Sequence, residues 1–169
     1  MAHSTTPASE SAVTLNLRLA TDADRARLIP LINSAFSIET FLEGNRTDDE
    51  DLAAMMRKGD LLAAEEGYGQ IVGCVYTEVR GERGYMGMLT VDPARQRSGL
   101  GTRIMEAAEE HLRRKGCKAV DILVLNLRTE LPPIYRRHGF VETGTQQGGL
   151  HRTLKPGVEC HFIVMSKDL

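Results

Sequence analysis

The sequence has few cysteines, and they stand far apart. Cys74, Cys117 and Cys160 are the three, and none belongs to a Cys-x-x-Cys pair. This number and spacing argue against a disulfide framework and against a structural zinc site. We therefore expect each thiol to be a small buried side chain, and we expect the protein to work in a reducing cytoplasm.

Long apolar runs and net charge are scarce as well. No apolar stretch approaches the ~20 residues that span a bilayer, so we expect no membrane-spanning helix. The formal net charge is −2, which gives no reason to expect the broad nucleic-acid binding of a basic domain. The five histidines show no metal-ligand spacing, so we expect no metal site.

The first 14 residues, MAHSTTPASESAVT, are small and polar. They lack the basic segment and the apolar segment of a secretory signal peptide. We expect a flexible tail over residues 1–14 and a single domain over residues 15–169, which is long enough to enclose one hydrophobic core.

Apolar periodicity and glycine-bearing turns predict the order of strands and helices in that domain. A Thr-x-x-Glu capping box at Thr47 predicts the start of the second helix, and Pro30 predicts a kink or a break in the first. The predicted strands are residues 15–21, 61–66, 71–79, 84–91, 119–127, 140–145 and 158–169. The predicted helices are residues 21–36, 47–58, 100–115 and 133–139.

A glycine-containing, arginine-bearing loop lies between the strand that ends at Val91 and the helix that follows it. The first turn of a helix has unpaired N–H groups and a partial positive charge. Gly99 and Gly101 leave the backbone open to close approach, and Arg95, Arg97 and Arg103 add charge. The loop is therefore predicted to bind an anion, best a phosphate or pyrophosphate.

Three phosphate-binding patterns can be compared with this loop. A Walker A loop requires a lysine after its last glycine, and none follows Gly101. A dinucleotide fingerprint requires a third glycine, but Ile104 stands at that position. The pattern [Gln/Arg]-x-x-Gly-x-[Gly/Ala] after a strand is matched in full by residues 96–101, QRSGLG.

The chain resembles the GNAT family of N-acetyltransferases. The resemblance rests on a strand ending LTVDP, the QRSGLG loop, a long helix, a strand ending at Asn126, and IYRRHGF, in which Tyr135, Gly139 and Phe140 match a family stretch. It implies a GNAT fold of the α/β (α+β) class, with a mixed, mostly antiparallel central sheet and helices on both faces. Dimerisation is common in the family, so a homodimer is a possibility.

The resemblance also implies an acetyl-coenzyme A (acetyl-CoA) site, with no metal. The pantetheine arm would lie beside Leu89 and Val91, in a cleft where two strands splay apart, and Asn126 would hydrogen-bond to it. Main-chain groups near Leu89 would polarise the thioester carbonyl as an oxyanion contact. The residues implied to hold the pyrophosphate are Gln96, Arg97, Ser98, Gly99, Leu100, Gly101 and Thr102.

Tyr135 stands where the family often has its general acid. A phenol has a pKa near ~10, close enough to that of a thiol to return a proton to it. The other interpretation is a tyrosine that packs on the sheet and only positions the cofactor. We expect the acid role, and we also expect Tyr135 to contact the cofactor.

The general base is left open. Several relatives have a glutamate where this chain has Tyr85. Glu78 and Glu82 are substitutes by proximity only, and a hairpin glutamate is usually just solvated. A chain of water molecules, or the bulk population of neutral amine, would serve instead.

The acceptor is predicted to meet residues 36–46 and the loop from Gln146 to Gly157. Glu39 and Glu43 in the first segment would attract a cationic amine, or they would only form a soluble surface. The acceptor therefore stays open among polyamines, amino acids, antibiotics and protein termini. Two alternatives to acetyl transfer onto a primary amine remain: a non-catalytic CoA-binding sensor, and an acyltransferase that uses another acyl-CoA donor.

Overall fold

The computed structural model describes residues 14–169, so the predicted flexible tail lies almost wholly outside the described residues. The strands are β1 (Leu15–Leu19), β2 (Asp60–Glu66), β3 (Gln70–Arg80), β4 (Arg83–Val91), β5 (Ala119–Leu125), β6 (Val141–Gln146) and β7 (Phe162–Asp168). The helices are α1 (Arg25–Ala35), α2 (Asp49–Lys58), α3 (Leu100–Arg114) and α4 (Leu131–Arg137).

The seven strands form one sheet in the order β1-β2-β3-β4-β5-β7-β6. Its first four strands are a meander of antiparallel neighbours, as the short glycine-bearing turns predict. β4 and β5 form the parallel pair, since the chain crosses through α3 between them. The sheet is therefore mixed and mostly antiparallel, which confirms the predicted fold class.

Helices cover both faces of the sheet. Neighbouring residues of a strand point to opposite faces, and the apolar side chains on each face are buried by helices. Leu62 faces the cluster that contains Ile104 and Leu112 of α3. Leu61 faces the other cluster, which contains Leu28 of α1 and Leu52 of α2. The apolar stripe of α3 is buried as its helical periodicity predicts.

The observed elements differ from the predicted ones in several details. The helix cap of α2 is Asp48, not Thr47, because the Asp48 carboxylate accepts the N–H of Asp51 at 2.8 Å. α1 runs unbroken through Pro30, and the fully buried Leu28 and Ile32 on either side hold it against the sheet. The last strand begins at Phe162 rather than at residue 158.

β4 and β5 are joined at one end and separate toward the other. Their pairing runs from Arg83 opposite Ala119 to Tyr85 opposite Asp121, although β4 continues to Val91 and β5 to Leu125. The Arg83 guanidinium donates to both oxygens of Asp121, at 2.8 and 2.6 Å, and so ties the joined end. Beyond Tyr85 the two strands bound a cleft.

Candidate active site

A β-bulge shapes the β4 side of the cleft. Cys74 pairs with Thr90 and Tyr76 pairs with Gly87, so Val75 faces two residues of β4, Met88 and Leu89. Met88 has a positive φ of 51°, and an extra residue in this left-handed conformation bends the strand. The bulge therefore lies in the part of β4 that has already separated from β5.

Main chain on the cleft side of β4 has no partner strand after Tyr85 within the described residues. Leu89 and Val91 lie in this part of the strand, and their side chains pack against the core on the α3 face. An extended ligand can hydrogen-bond to such an edge as an added strand does. The geometry fits the arm-binding role that the resemblance implies for both residues.

The loop before α3 is built to present backbone N–H groups. Arg97 and Gly99 have positive φ values of 67° and 81°, separated by Ser98, and such alternation curls the backbone into a concave nest. The Ser98 hydroxyl donates to the Arg95 carbonyl and closes the turn. Leu100 is buried and anchors the helix start, while residues 96–99 are exposed.

Two features of the loop fit a pyrophosphate: the glycine at position 101 and the free backbone N–H groups of residues 96–102. A Cβ on Gly101 would meet only Val91 Cγ2, at 3.6 Å, which is an ordinary contact. The fold therefore does not require glycine at this position, whereas close approach of a ligand does. No turn or cap hydrogen bond between described residues uses an N–H of residues 96–102, so these donors, including that of Thr102, can take an anion.

Tyr135 projects from α4 toward the same core cluster as Leu89 and Val91. Its ring packs edge-on against Phe140, with centroids 5.6 Å apart. Burial raises the pKa of Tyr135 to about 12, against a smaller lowering by the charge of Arg128. Because of this raised pKa, the hydroxyl stays protonated at neutral pH. It makes no hydrogen bond with another described residue, so it can donate to a ligand.

Asn126 follows β5 and clamps it to the start of β7. Its Oδ1 accepts the His161 N–H at 2.8 Å, and its own N–H donates to the His161 carbonyl at 3.0 Å. The side-chain Nδ2 group donates to no described residue. Asn126 thus has a structural role that the sequence did not reveal, and it keeps one free donor for a ligand.

Tyr85, the position at which the family resemblance implies a glutamate in other members, is surrounded by other groups. Its hydroxyl lies over Gly87, where a Cβ would meet the oxygen at 2.6 Å. The Arg80 guanidinium stacks on its ring, 4.3 Å from the centroid. Burial raises the pKa of Tyr85, so the phenol is neutral near pH 7 and is not a base there.

Neither glutamate named as a substitute base is well placed. Glu78 accepts hydrogen bonds from the Tyr76 hydroxyl at 2.8 Å and from Arg80 at 3.0 Å. Burial opposes ionisation of Glu78, but these hydrogen bonds outweigh it and lower its pKa. Glu82 is exposed in the hairpin turn and lies 3.4 Å from Lys118.

The two segments expected to meet the acceptor do lie together. Leu42 forms a bridge with Leu154, and the N–H of Glu43 donates to Thr153 at 2.9 Å. The expectation that Glu39 attracts a cationic amine fails, because Glu39 is buried and accepts from Arg128 at 3.2 Å. Two arginines, Arg46 and Arg152, also lie where these segments meet, and their residue types alone did not predict a role for them.

Between residues 14 and 169, no group of three or more His, Cys, Asp or Glu side chains is arranged to hold a metal ion. Over the same residues, no helix has both the length and the hydropathy that a bilayer crossing requires.

Comparison with known proteins agrees with this geometry. Residues 24–151 match the family model described as an acetyltransferase (GNAT) domain. Glucosamine 6-phosphate N-acetyltransferase 1 of Oryza sativa subsp. japonica is 33% identical over 114 residues, which cover 63% of this chain and 67% of that protein. Mycothiol acetyltransferase of Propionibacterium freudenreichii subsp. shermanii is 33% identical over 92 residues, 52% of this chain but 30% of that protein.

Solved structures share the fold at low sequence identity. The PaiA N-acetyltransferase of Thermoplasma acidophilum, in complex with coenzyme A, has a TM-score of 0.73 and 13% identity, covering 92% of this chain and 99% of that one. The ribosomal-protein-alanine N-acetyltransferase of Brucella melitensis has a TM-score of 0.71 and 22% identity, covering 91% and 99%. At such identities the likeness concerns the fold alone.

Proposed function

Because the chain belongs to the GNAT acetyltransferase family, we propose that it moves an acetyl group from acetyl-CoA to a primary amine, directly and within a ternary complex. The observation that carries the proposal is the cleft between β4 and β5, with the N–H-rich loop of residues 96–102 at the start of α3. The complex of a structural neighbour with coenzyme A supports the choice of cosubstrate. The acceptor and the mechanism are proposals.

Each part of the cleft has a role in holding acetyl-CoA. The pyrophosphate lies on the free N–H groups of residues 96–102, where Arg97 adds positive charge. The arm pairs with the main chain of Leu89 and Val91, and the Asn126 amide donates to it. The Leu89 main chain polarises the thioester carbonyl, where negative charge develops during the reaction.

Transfer begins when the amine nitrogen attacks the thioester carbon. The new C–N bond forms, the C–S bond breaks, and the sulfur leaves with the electron pair as a thiolate. The nitrogen gives its extra proton to water, and the released thiolate can take a proton from solvent. The Tyr135 hydroxyl hydrogen-bonds to that sulfur. Because burial raises the pKa of Tyr135 to about 12 and a thiol titrates near ~8.5, full proton transfer is uphill, and the hydrogen bond itself stabilises the leaving group.

No carboxylate is proposed as the base. Glu78 is held by two hydrogen bonds that lower its pKa, and it is a weak proton acceptor at neutral pH. The amine instead enters in its neutral form, or it loses its proton to water. Holding both reactants in one cleft then supplies much of the rate.

This assignment predicts the pH dependence of turnover. kcat/KM should rise with pH as the acceptor amine loses its proton, and it should not fall again below about pH 10, because the raised pKa of Tyr135 keeps its hydroxyl protonated there. Initial rates from pH 6 to 10 measure this. A fall of kcat/KM with rising pH below about pH 10 would mean that a group other than Tyr135 donates to the leaving sulfur.

Paired substitutions of Asn126 separate its two roles. Asn126→Asp keeps an oxygen for the His161 N–H but removes the free donor, so acetyl-CoA should bind about tenfold more weakly with little change in stability. Asn126→Ala removes both the oxygen that accepts the His161 N–H and the free Nδ2 donor, so the free energy of unfolding should also fall by ~1 kcal/mol. Calorimetry and urea denaturation measure the two effects. Unchanged binding in both variants would limit Asn126 to its structural role.

The first experiment is calorimetric binding of acetyl-CoA, with NAD and ATP as controls, followed by a screen of amines. Glucosamine 6-phosphate belongs in the screen because a relative bears that name, and free amino acids and peptide N-termini test the other classes. Selective binding with acetylation of an amine supports the proposal. An absence of acetyl-CoA binding overturns it.

One observation favours a second candidate, a CoA-binding module without catalysis. Tyr85 stands where several relatives have a glutamate, and its raised pKa denies it the role of a base at neutral pH. Acetyl-CoA binding without turnover across the amine screen would favour this module. The same assay with propionyl- and succinyl-CoA tests whether the donor is another acyl group.

A further inference from the structure

A group of arginines lies where the two acceptor-side segments meet, outside the residues proposed to handle acetyl-CoA. Arg46 comes from the segment of residues 36–46, and Arg152 comes from the loop that crosses it. Together they line a cavity of about 200 Å³, several times the ~30 Å³ share of one water molecule. The other polar side chains on its wall include Asn33, Ser37, Glu39 and Asn45.

Arg152 is the most unusual member, because its guanidinium is buried and incompletely paired. The side chain is 10% exposed. Nη2 donates to the Gly44 carbonyl at 2.6 Å and so holds the two segments together. Nε and Nη1 are inaccessible to water, and neither has a hydrogen-bond partner among residues 14–169. Unpaired donors of a buried cation are costly, and an anion would satisfy them.

The acidic residue of the cavity, Glu39, offsets only part of this charge. Glu39 accepts from Arg128 at 3.2 Å, whereas Nη1 of Arg152 is 3.9 Å from its other oxygen, too far for a hydrogen bond. Burial lowers the pKa of Arg152, and the neighbouring charge of Arg46 lowers it further, although the group stays ionised at neutral pH. The cavity is therefore net positive.

Arg46 is held in place on the opposite side. Its guanidinium stacks over the Phe36 ring, 5.1 Å from the centroid. Asn33 anchors the backbone next to it, since its side chain both accepts the Thr47 N–H at 2.9 Å and donates to the Thr47 carbonyl at 3.1 Å. Each guanidinium group of the cavity therefore has its own contact, Arg46 with the Phe36 ring and Arg152 with the Gly44 carbonyl.

The cavity adjoins the place where the acetyl group would be transferred. Phe36 of the cavity wall packs against the same core cluster as Tyr85. Glu39 of the same wall accepts at 3.2 Å from Arg128, which follows Asn126 by two positions in the chain. A small molecule could therefore present an amine to the cleft while a second group on it reaches the arginines.

We propose that this cavity binds an oxyanion, a phosphate or a carboxylate, carried by the acceptor in addition to its amine. Arg46 and Arg152 are the specificity-determining residues, and their planar guanidinium groups suit both anions. The inference rests on the proposed function, because it takes the site beside the cavity to be the acetyl-transfer site. It narrows the acceptor to amino acids, amino sugar phosphates and similar zwitterionic amines.

The direct test is an NMR titration of the protein with inorganic phosphate and, separately, with acetate. The probe is the Nε–H resonance of Arg152, which has no partner among the described residues and should shift when an anion arrives. The titration is run with and without coenzyme A, which occupies the phosphate-binding loop. A saturable shift of the Arg152 Nε–H resonance in the presence of coenzyme A supports the proposal. The anion that binds more tightly, phosphate or acetate, identifies the chemical class of the acceptor's second group.

Two variants test whether the shift comes from the cavity. Arg46→Met should weaken phosphate binding about tenfold or more, measured at the same Arg152 resonance. Arg152→Met, followed by the backbone amide resonances of the residues that line the cavity, should show no saturable shift, since each variant loses charge-assisted hydrogen bonds. Arg57→Met is the matched control, because Arg57 is exposed on α2 and takes part in no ion pair of the described residues. Arg152→Met could fail to fold, because Nη2 of Arg152 joins the two segments in the parent protein. Arg46→Met leaves that contact in place and so tests the cavity independently.

Kinetics give a second readout. For the pair phosphoethanolamine and ethanolamine, or a free amino acid and its amide, kcat/KM should favour the anionic member at least tenfold, and Arg152→Met should remove the preference. An anion that leaves Arg152 unshifted, or binds Arg152→Met equally well, overturns the inference. The NMR result does not depend on turnover. A protein that binds phosphate at Arg152 but fails to bind acetyl-CoA would keep the anion site, and it would overturn the proposed function and with it the assignment of the anion to an acceptor.

Discussion

A Tyr135→Phe variant should turn over about 100-fold more slowly and bind acetyl-CoA as well as the parent does. The substitution removes one hydroxyl that makes no hydrogen bond with another described residue, so the folded protein loses almost nothing. The ring still packs edge-on against Phe140, 5.6 Å between centroids. What disappears is a donor aimed at the leaving sulfur, and a single such donor is worth roughly 100- to 1000-fold in rate.

The measurement is kcat with a saturating acceptor, beside calorimetric binding of acetyl-CoA. Tyr68→Phe is the matched control, because Tyr68 is fully exposed in the turn between β2 and β3. A fall in affinity with an unchanged kcat would mean that Tyr135 only positions the cofactor. Unchanged values of both would remove Tyr135 from the site.

A Gly101→Asp variant should lose at least about 100-fold in acetyl-CoA affinity while its fold becomes no less stable. A Cβ at this position meets only Val91 Cγ2, at 3.6 Å, so the first atom of the new side chain meets no clash. A carboxylate in the first turn of α3 interacts well with the helix dipole, and replacing glycine favours the helix. The same carboxylate stands where the pyrophosphate would lie, and ~3 kcal/mol of like-charge repulsion corresponds to about 100-fold.

Opposite changes in stability and binding make this variant informative. Thermal unfolding gives the first quantity and calorimetry the second. Gly101→Ala is the control, since the loop pattern allows alanine and the added methyl carries no charge. If Gly101→Asp binds acetyl-CoA as the parent does, the loop is only the start of a helix and the pyrophosphate lies elsewhere.

The sequence predicted well those features that depend on neighbouring residues. The glycine-bearing loop before α3 is one, because Gly99, Gly101 and the helix that follows are all contained in a short stretch. The order of strands and helices is another, since periodicity is local. The splay of β4 from β5 came from the family resemblance, because nothing in either strand alone shows where their pairing ends.

Features that depend on distant residues were beyond the sequence. Glu39 looked like a free acid, yet it is paired with Arg128, 89 residues away. Asn126 looked like a cofactor ligand, yet its oxygen is taken by the backbone of His161, 35 residues away. Arg46 and Arg152 lay in the two segments assigned to the acceptor, and the folded structure reveals that they line one cavity.

The strand pair tied by Arg83 and Asp121 has a consequence for solubility as well. Where β4 parts from β5, the protein carries an unpaired strand edge in the middle of its sheet. Exposed edges of this kind recruit strands of other molecules and lead to aggregation. Here the edge lies inside a wedge with β5 as its far wall, so a neighbouring molecule cannot align a strand along it. A slender, flexible chain can enter, and the protein thereby keeps a reactive edge available to its ligand while hiding it from other copies of itself.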